Sequence, residues 1–125
     1  IVRRLVGSEM CIRDRFTSAD KVIVFSGDTG PSDILESYAK DADILVHEVY
    51  SYAGFLNKTP DWQKYHKGHH TSTLELGEIA KRIKPNKLVL SHILFWGSTP
   101  DEIYKEITSV YDGEVIVAED LMIIN

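Results

Sequence analysis

Apolar residues along the chain follow two alternating spacings. Short continuous apolar runs are typical of strands buried on both faces, and apolar residues three or four positions apart are typical of helices. From residue 20 onward the pattern predicts five strands, at residues 21–26, 43–48, 87–91, 114–118 and 121–124. With three helices between them, the predicted order is βαβαβαββ, which is typical of an α/β fold with a largely parallel sheet.

The starts of the predicted helices are marked by capping residues. A Ser or Thr followed three residues later by Glu is the pattern of a capping box. Ser72 with Glu75 and Thr99 with Glu102 both show this pattern. The first helix is expected to begin near Ser32.

The segment from Val49 to Thr71 shows neither spacing, and we predict it as a long loop. Loops of this length are usually functional or disordered. This one is rich in aromatic residues, which indicates that it packs over a site; they are Tyr50, Tyr52, Phe55, Trp62 and Tyr65.

Side chains that can bind metals or protons follow the first three predicted strands. Asp28 follows the first strand, His47 and Glu48 end the second, and His92 ends the third. Ligands of parallel sheets bind beyond the carboxyl ends of the strands. His70 directly precedes a predicted helix start, a location that suits a side chain that must meet a bound anion. Asp, Glu and His gathered there without Cys favour a metal site with open positions.

Each of these residues also has a structural interpretation. Asp28 lies between glycines and suits a turn, His92 suits a hydrogen-bonded strand end, and His47 with its neighbour suits a solvated strand end. His66 and His69 are more typical of loop residues than of metal ligands. Several such residues at one predicted edge are a stronger signal than any one of them.

Composition narrows the class of protein. The 125 residues are enough for one domain, and 43% hydrophobic with 26% charged residues is ordinary for a globular protein. The net charge of -5 argues against a general nucleic-acid footprint. A single cysteine excludes a disulfide within the chain and a cysteine-based zinc site. The apolar runs are too short to span a membrane. No targeting segment is recognisable in the sequence, and on that ground we expect a cytoplasmic protein.

The first 15 residues differ from the rest. They contain four of the five arginines and the cysteine. Their sequence, IVRRLVGSEMCIRDR, resembles translated adapter read-through in assembled environmental sequences. We therefore predict that residues 1–15 are a non-native leader; a genuine basic linker is the alternative.

Four segments from residue 21 onward resemble motifs of the metallo-β-lactamase fold family, most closely its ribonuclease Z and arylsulfatase-like branch. In chain order they are FSGDTGPS, ADILVHEVY, HTSTLELGEIAKRIKP and KLVLSH. The resemblance implies that residues 16–125 are a partial domain, the C-terminal half of the αββα sandwich of that family.

The resemblance also implies roles for individual residues. Asp28 would bridge two metal ions, usually zinc, and His92 would ligate the second ion. His70 would act as proton donor or transition-state stabiliser at the scissile phosphate, with Glu48 as its partner and His47 beside it.

Three further residues follow from the same comparison and from the aromatic character of the segment. We expect Thr71, Ser72 and Trp96 to contact the substrate. These contacts would lie next to the expected catalytic histidine.

The function implied is that of a binuclear zinc metallo-hydrolase, in which a metal-bound hydroxide cleaves a phosphodiester of RNA or a related small-molecule ester. The family's His-x-His-x-Asp-His signature is absent here. The site for two zinc ions would therefore be complete only in a full-length parent, and this fragment alone would be inactive. We expect the parent to be a homodimer.

Two alternatives stay open. After His92 the chain continues with apolar, bulky residues, unlike ribonuclease Z, so the same fold could act on a lactone, a sulfate ester or a cyclic nucleotide. The order of elements also permits a non-catalytic nucleotide-binding module, although the Gly-rich and P-loop patterns of such modules are missing.

Overall fold

A computed structural model of the chain describes the backbone of residues 2–6 and 12–125 and the side chains from Asp14 onward. Six strands form one sheet: β1 (Val2–Val6), β2 (Ile12–Thr17), β3 (Val22–Phe25), β4 (Ile44–Tyr50), β5 (Lys87–Leu94) and β6 (Val115–Val117). Five helices accompany them: α1 (Asp33–Ala39), α2 (Tyr52–Leu56), α3 (Pro60–His69), α4 (Thr73–Ile83) and α5 (Pro100–Thr108). None of the helices in these ranges has the length and apolar character that crossing a bilayer requires.

The strands lie side by side in chain order. β1, β2 and β3 pair antiparallel, whereas β3, β4, β5 and β6 pair parallel. The parallel part confirms the predicted α/β class. It also brings the carboxyl ends of β3, β4 and β5 to one edge of the sheet.

The hydrophobic core lies between one face of the sheet and the helices α1, α4 and α5. Side chains alternate between the two faces of a strand, and the strand residues on the covered face are Val24, Leu45, Val49, Leu88 and Leu90. The helices meet them with apolar stripes whose main members are Leu35, Leu76, Ile79, Ile103 and Ile107. All of these side chains are buried, so the helical spacing seen in the sequence is the spacing of the core.

The predicted helix starts are confirmed. The Ser72 side chain accepts a hydrogen bond from the Glu75 amide at 3.1 Å, and the Glu75 carboxylate accepts one from the Ser72 amide at 3.1 Å. Thr99 and Glu102 form the same reciprocal pair. Ser32 caps α1 through the side chain.

The predicted loop at residues 49–71 was wrong, because the segment contains α2 and α3. The Ser51 side chain caps α2 by accepting a hydrogen bond from the Gly54 amide at 3.0 Å, and Pro60 occupies the first turn of α3. No residue of α3 is buried. A helix that buries no side chain has no apolar stripe. An apolar stripe is the signal from which a helix is predicted in a sequence, so α3 was missed.

The predicted strand at residues 121–124 was also wrong. The structure has no strand there, and Leu121 is fully exposed with a φ of 64°. Among the described strands, β6 pairs with β5 alone, over Val115–Val117. A short apolar run cannot be distinguished by its pattern from an exposed tail.

Part of the predicted leader lies in the sheet. β2 pairs with β3, and the Arg15 guanidinium donates a hydrogen bond to the Tyr38 carbonyl at 2.7 Å. Residues 1 and 7–11 lie outside the described residues. The non-native origin of residues 1–15 stays a prediction.

Candidate functional site

The turn after β3 presents Asp28 at the carboxyl edge of the sheet. Gly27 has a φ of 62°, a conformation that glycine adopts without steric cost. The Asp28 side chain is 55% exposed, and its Oδ1 lies 3.1 Å from Nδ1 of His92. The structure therefore brings the two predicted metal ligands into contact.

His92 reaches this position through a bulge in β5. Glu48 of β4 opposes Ser91, but the next residue, Val49, opposes Ile93, which leaves His92 as an extra residue with a φ of 44°. Ile93 packs against the core in the place that strict alternation would assign to the histidine. Bulges next to active sites re-aim side chains in this way. The His92 side chain points outward because its backbone adopts this left-handed conformation, which is strained for a residue other than glycine.

A buried carboxyl group lies beneath this edge. The Glu48 side chain is 2% exposed, and its Oε1 lies 3.1 Å from Nδ1 of His70. The same oxygen accepts a hydrogen bond from the Thr29 amide at 3.0 Å. The Thr71 hydroxyl donates to the Thr29 carbonyl at 2.6 Å, which ties the turn bearing Asp28 to the segment bearing His70.

Burial shifts both members of this pair toward their uncharged forms. Desolvation raises the pKa of Glu48 to about 8, and the nearby Asp28 charge adds to the rise. Desolvation also lowers the pKa of His70 below its usual value. Near pH 7 the pair is therefore mainly uncharged rather than an ion pair.

The pKa of Glu48 predicts a pH-dependent stability. Its pKa in the folded chain, about 8, lies above the usual 4.5. Its contribution to the free energy of unfolding is then complete below pH 4.5 and disappears as the pH rises to about 8. The expected slope is at most about 1.4 kcal/mol per pH unit. His70 acts in the opposite direction, because its lowered pKa removes stability as the pH falls below 6.5.

We expect Glu48→Gln to flatten the decline of stability between pH 5 and pH 8, since glutamine does not titrate. Urea unfolding at several pH values, with a chelator present, measures this. Glu78→Gln is the matched control, because the Glu78 side chain is 56% exposed. Equal slopes for the Glu48 variant and the unmodified chain would contradict the shifted pKa.

The other predicted site residues lie close by but are less open. His47 is buried, and its Nδ1 is 2.6 Å from the main-chain oxygen of Glu48. Thr71 and Ser72 are buried as well, and their hydroxyls bind the Thr29 turn and the first turn of α4. Trp96 is partly buried, with its ring 5.2 Å from that of Tyr50.

The exposed ends of β3, β4 and β5 border an open cleft of about 300 Å³. Asp28, Glu48, Ser91 and His92 are among its lining residues. A carboxylate oxygen and an imidazole nitrogen are zinc ligand types. Within the described ranges, no three His, Cys, Asp or Glu side chains are grouped closely enough to hold an ion. Asp28 and His92 therefore fit part of a coordination shell and do not complete one.

Sequence reasoning missed the position of His66. Its ring lies 5.8 Å from that of His70 and 4.5 Å from that of Trp96, within a row of rings on α3. The spacing of four residues from Trp62 to His66 to His70 is a signal of this row. It is visible only once the segment is taken as a helix.

Curated relatives resemble the chain over most of its length, although no family model matches it. A Bacillus subtilis protein named "Probable metallo-hydrolase YhfI" is 31% identical over 109 residues, which is 87% of this chain and 41% of that protein. Ribonuclease Z of Methanosarcina acetivorans is 34% identical over 103 residues, which is 82% of this chain and 32% of that protein. The chain thus spans less than half the length of these relatives.

Solved structures decide the fold. The metallo-β-lactamase fold protein YhfI from Bacillus subtilis matches with a TM-score of 0.75 at 24% identity, covering 94% of this chain and 46% of that one. This chain has part of the metallo-β-lactamase fold. Human tRNase Z, short form, matches with a TM-score of 0.65 at 22% identity, covering 99% of this chain and 40% of that one.

The comparisons confirm the resemblance found in the four sequence motifs. The protein named metallo-hydrolase YhfI and the ribonuclease Z proteins are homologues of this chain. The metallo-β-lactamase fold is consistent with the mixed sheet and the parallel strands of this chain.

Proposed function

We propose that this chain is the C-terminal half of a metal-dependent hydrolase that cleaves a phosphodiester of RNA or a related ester. The observation that carries the proposal is the contact of Asp28 with His92, 3.1 Å apart, beside the buried pair of Glu48 and His70. Homologues named ribonuclease Z and metallo-hydrolase support it. Residues 16–125 would form the partial domain.

The metal ions of this proposal are zinc, held in part by Asp28 and His92. When bound, such ions lower the pKa of a water and stabilise negative charge on the substrate. The full-length parent would supply the remaining ligands, because the chain spans only 41% and 32% of its first two relatives.

His70 would be the catalytic residue of this chain that moves a proton. Its Nδ1 contacts Glu48, which leaves Nε2 as the nitrogen available to a substrate oxygen. The lowered pKa of His70 favours an uncharged ring in the resting site. Glu48 would be a positioning residue, because it holds both the His70 ring and the Thr29 amide next to Asp28.

The remaining site residues are proposed in secondary roles. His47 would support the Glu48 main chain from the buried side of β4. Substrate contacts by Thr71, Ser72 and Trp96, and the homodimer, stay predictions.

His70→Asn in the zinc-loaded parent is expected to lower kcat for a phosphodiester by about 10²- to 10⁴-fold, because the group that moves a proton at the substrate oxygen is lost. The zinc content should not change, since His70 is not one of the proposed ligands. Hydrolysis of bis(p-nitrophenyl) phosphate and zinc analysis of the purified protein measure the two effects. His69→Asn is the matched control: the His69 side chain is exposed on α3 and contacts Tyr65, through its main-chain oxygen at 2.7 Å and through its ring at 4.5 Å.

The same assay separates the alternatives. Turnover of a lactone, a sulfate ester or a cyclic nucleotide without turnover of the phosphodiester would replace the proposed substrate and keep the hydrolase. A zinc-loaded parent that hydrolyses none of these esters but is stabilised by nucleotides would favour the nucleotide-binding module instead.

A further inference from the structure

A row of rings leads along α3 to the proposed metal edge. Trp62 and His66 are four residues apart on α3 and share one stripe of the helix, and His70 follows as the residue that caps its end. The Trp62 and His66 rings stack with centroids 5.5 Å apart and planes 19° apart. The next centroid distances are 5.8 Å from His66 to His70 and 6.4 Å from His70 to His92.

The outer part of this row is exposed rather than packed in the core. The Trp62 residue is 55% exposed and Tyr65 is 50% exposed. Tyr65 meets the His66 ring edge-on at 5.2 Å and thereby supports it from the side. Together with the ring of His66 they form a cluster of rings on the outer side of α3.

Trp96 supports the row from below. Its ring lies 4.5 Å from that of His66. Its position is restricted by Gly54 of α2, where an added Cβ would lie 2.7 Å from the Trp96 Cβ. The His66 ring thus packs on Trp96, which itself lies close against α2.

The charge of this segment is opposite to that of the whole chain. Residues 58–70 contain three lysines and one aspartate, a net charge of +2, whereas the chain carries -5. Lys58 places its Nζ 4.8 Å from the centre of the Trp96 ring. Rings and lysines together suit a ligand that is flat and aromatic at one end and anionic at the other.

We propose that Trp62 and His66 form a stacking platform for a nucleobase of single-stranded RNA, next to the proposed metal edge at Asp28 and His92. This inference rests on the proposed function and names the part of the substrate that α3 binds. Single-stranded RNA is recognised by stacking its unpaired bases on aromatic and histidine rings, and lysines attract the neighbouring phosphates.

The decisive variant is Trp62→Ala in the full-length parent, because it removes the exposed end of the platform and leaves the core intact. Loss of one base stacking contact is expected to weaken binding by about 5- to 150-fold. Fluorescence anisotropy with a labelled single-stranded oligouridylate measures this, with a chelator present so that no hydrolysis occurs. Tyr104→Ala is the matched control, because Tyr104 is a 46% exposed aromatic residue on α5.

An abasic ribose phosphate chain of the same length is the second probe. We expect it to bind weakly and to be insensitive to Trp62→Ala, because it has no base to stack. Equal losses in the Trp62 and Tyr104 variants, or equal binding of the abasic and base-bearing chains, would overturn the platform.

The two proposals fail in different ways. If the zinc-loaded parent hydrolyses phosphodiesters but Trp62→Ala leaves oligouridylate binding unchanged, only the platform is wrong. If Trp62→Ala weakens binding but no ester is hydrolysed, the platform stands and the hydrolase is wrong.

Discussion

Asp28→Asn in the full-length parent is expected to abolish phosphodiester hydrolysis, with a loss of about 10³-fold or more. The substitution keeps the shape of the side chain but removes its charge and one of its two acceptor oxygens. A carboxylate that would hold metal ions relies on its charge and its oxygens, whereas a turn residue does not need the charge. Zinc content and kcat for bis(p-nitrophenyl) phosphate measure the effect.

Asp33→Asn is the control for this variant, because it makes the same chemical change at an exposed position in the first turn of α1. It should leave both zinc content and turnover unchanged. If Asp28→Asn keeps its zinc and turns over within tenfold of the unmodified parent, Asp28 is a residue of the Gly27 turn and not a metal ligand.

Leu45→Ala is expected to lower the free energy of unfolding by about 2–5 kcal/mol, because it leaves a cavity at the centre of the core. Leu45 lies in β4, between β3 and β5, and its side chain is fully buried. Neighbouring strands on both sides prevent the backbone from moving in to fill the space.

Urea unfolding followed by circular dichroism measures this loss. Leu121→Ala is the matched control, since Leu121 is fully exposed and its truncation should change the free energy of unfolding by less than about 0.5 kcal/mol. Losses of similar size in the two variants would contradict the described core.

Elements that bury an apolar stripe could be predicted from local pattern. The capping boxes at Ser72 and Thr99 and the apolar runs of β3, β4 and β5 are short-range signals, and each was found in its expected place. The same pattern failed for α3, which buries no residue, and for the exposed run at 121–124. In both cases solvent exposure breaks the relation between hydrophobicity and secondary structure.

The neighbourhood of the site was predictable in part, because parallel strands bring their carboxyl ends together. Asp28 and His92 could be placed at one edge from the order of the elements alone. Their contact could not, because it depends on a bulge that only the pairing of β4 with β5 creates. The sequence around His92 has no local mark of its left-handed backbone.

The protonation of the site depended entirely on the tertiary structure. Glu48 is one acidic residue among 19 acidic residues in the sequence, and its raised pKa comes from burial beneath the turn that carries Asp28. Local sequence patterns therefore determined which residues lie at the strand ends and which helices cover the sheet. Register, burial and the helix built from residues 60–69 decided which of those residues meet, because these properties arise from contacts between segments distant in sequence.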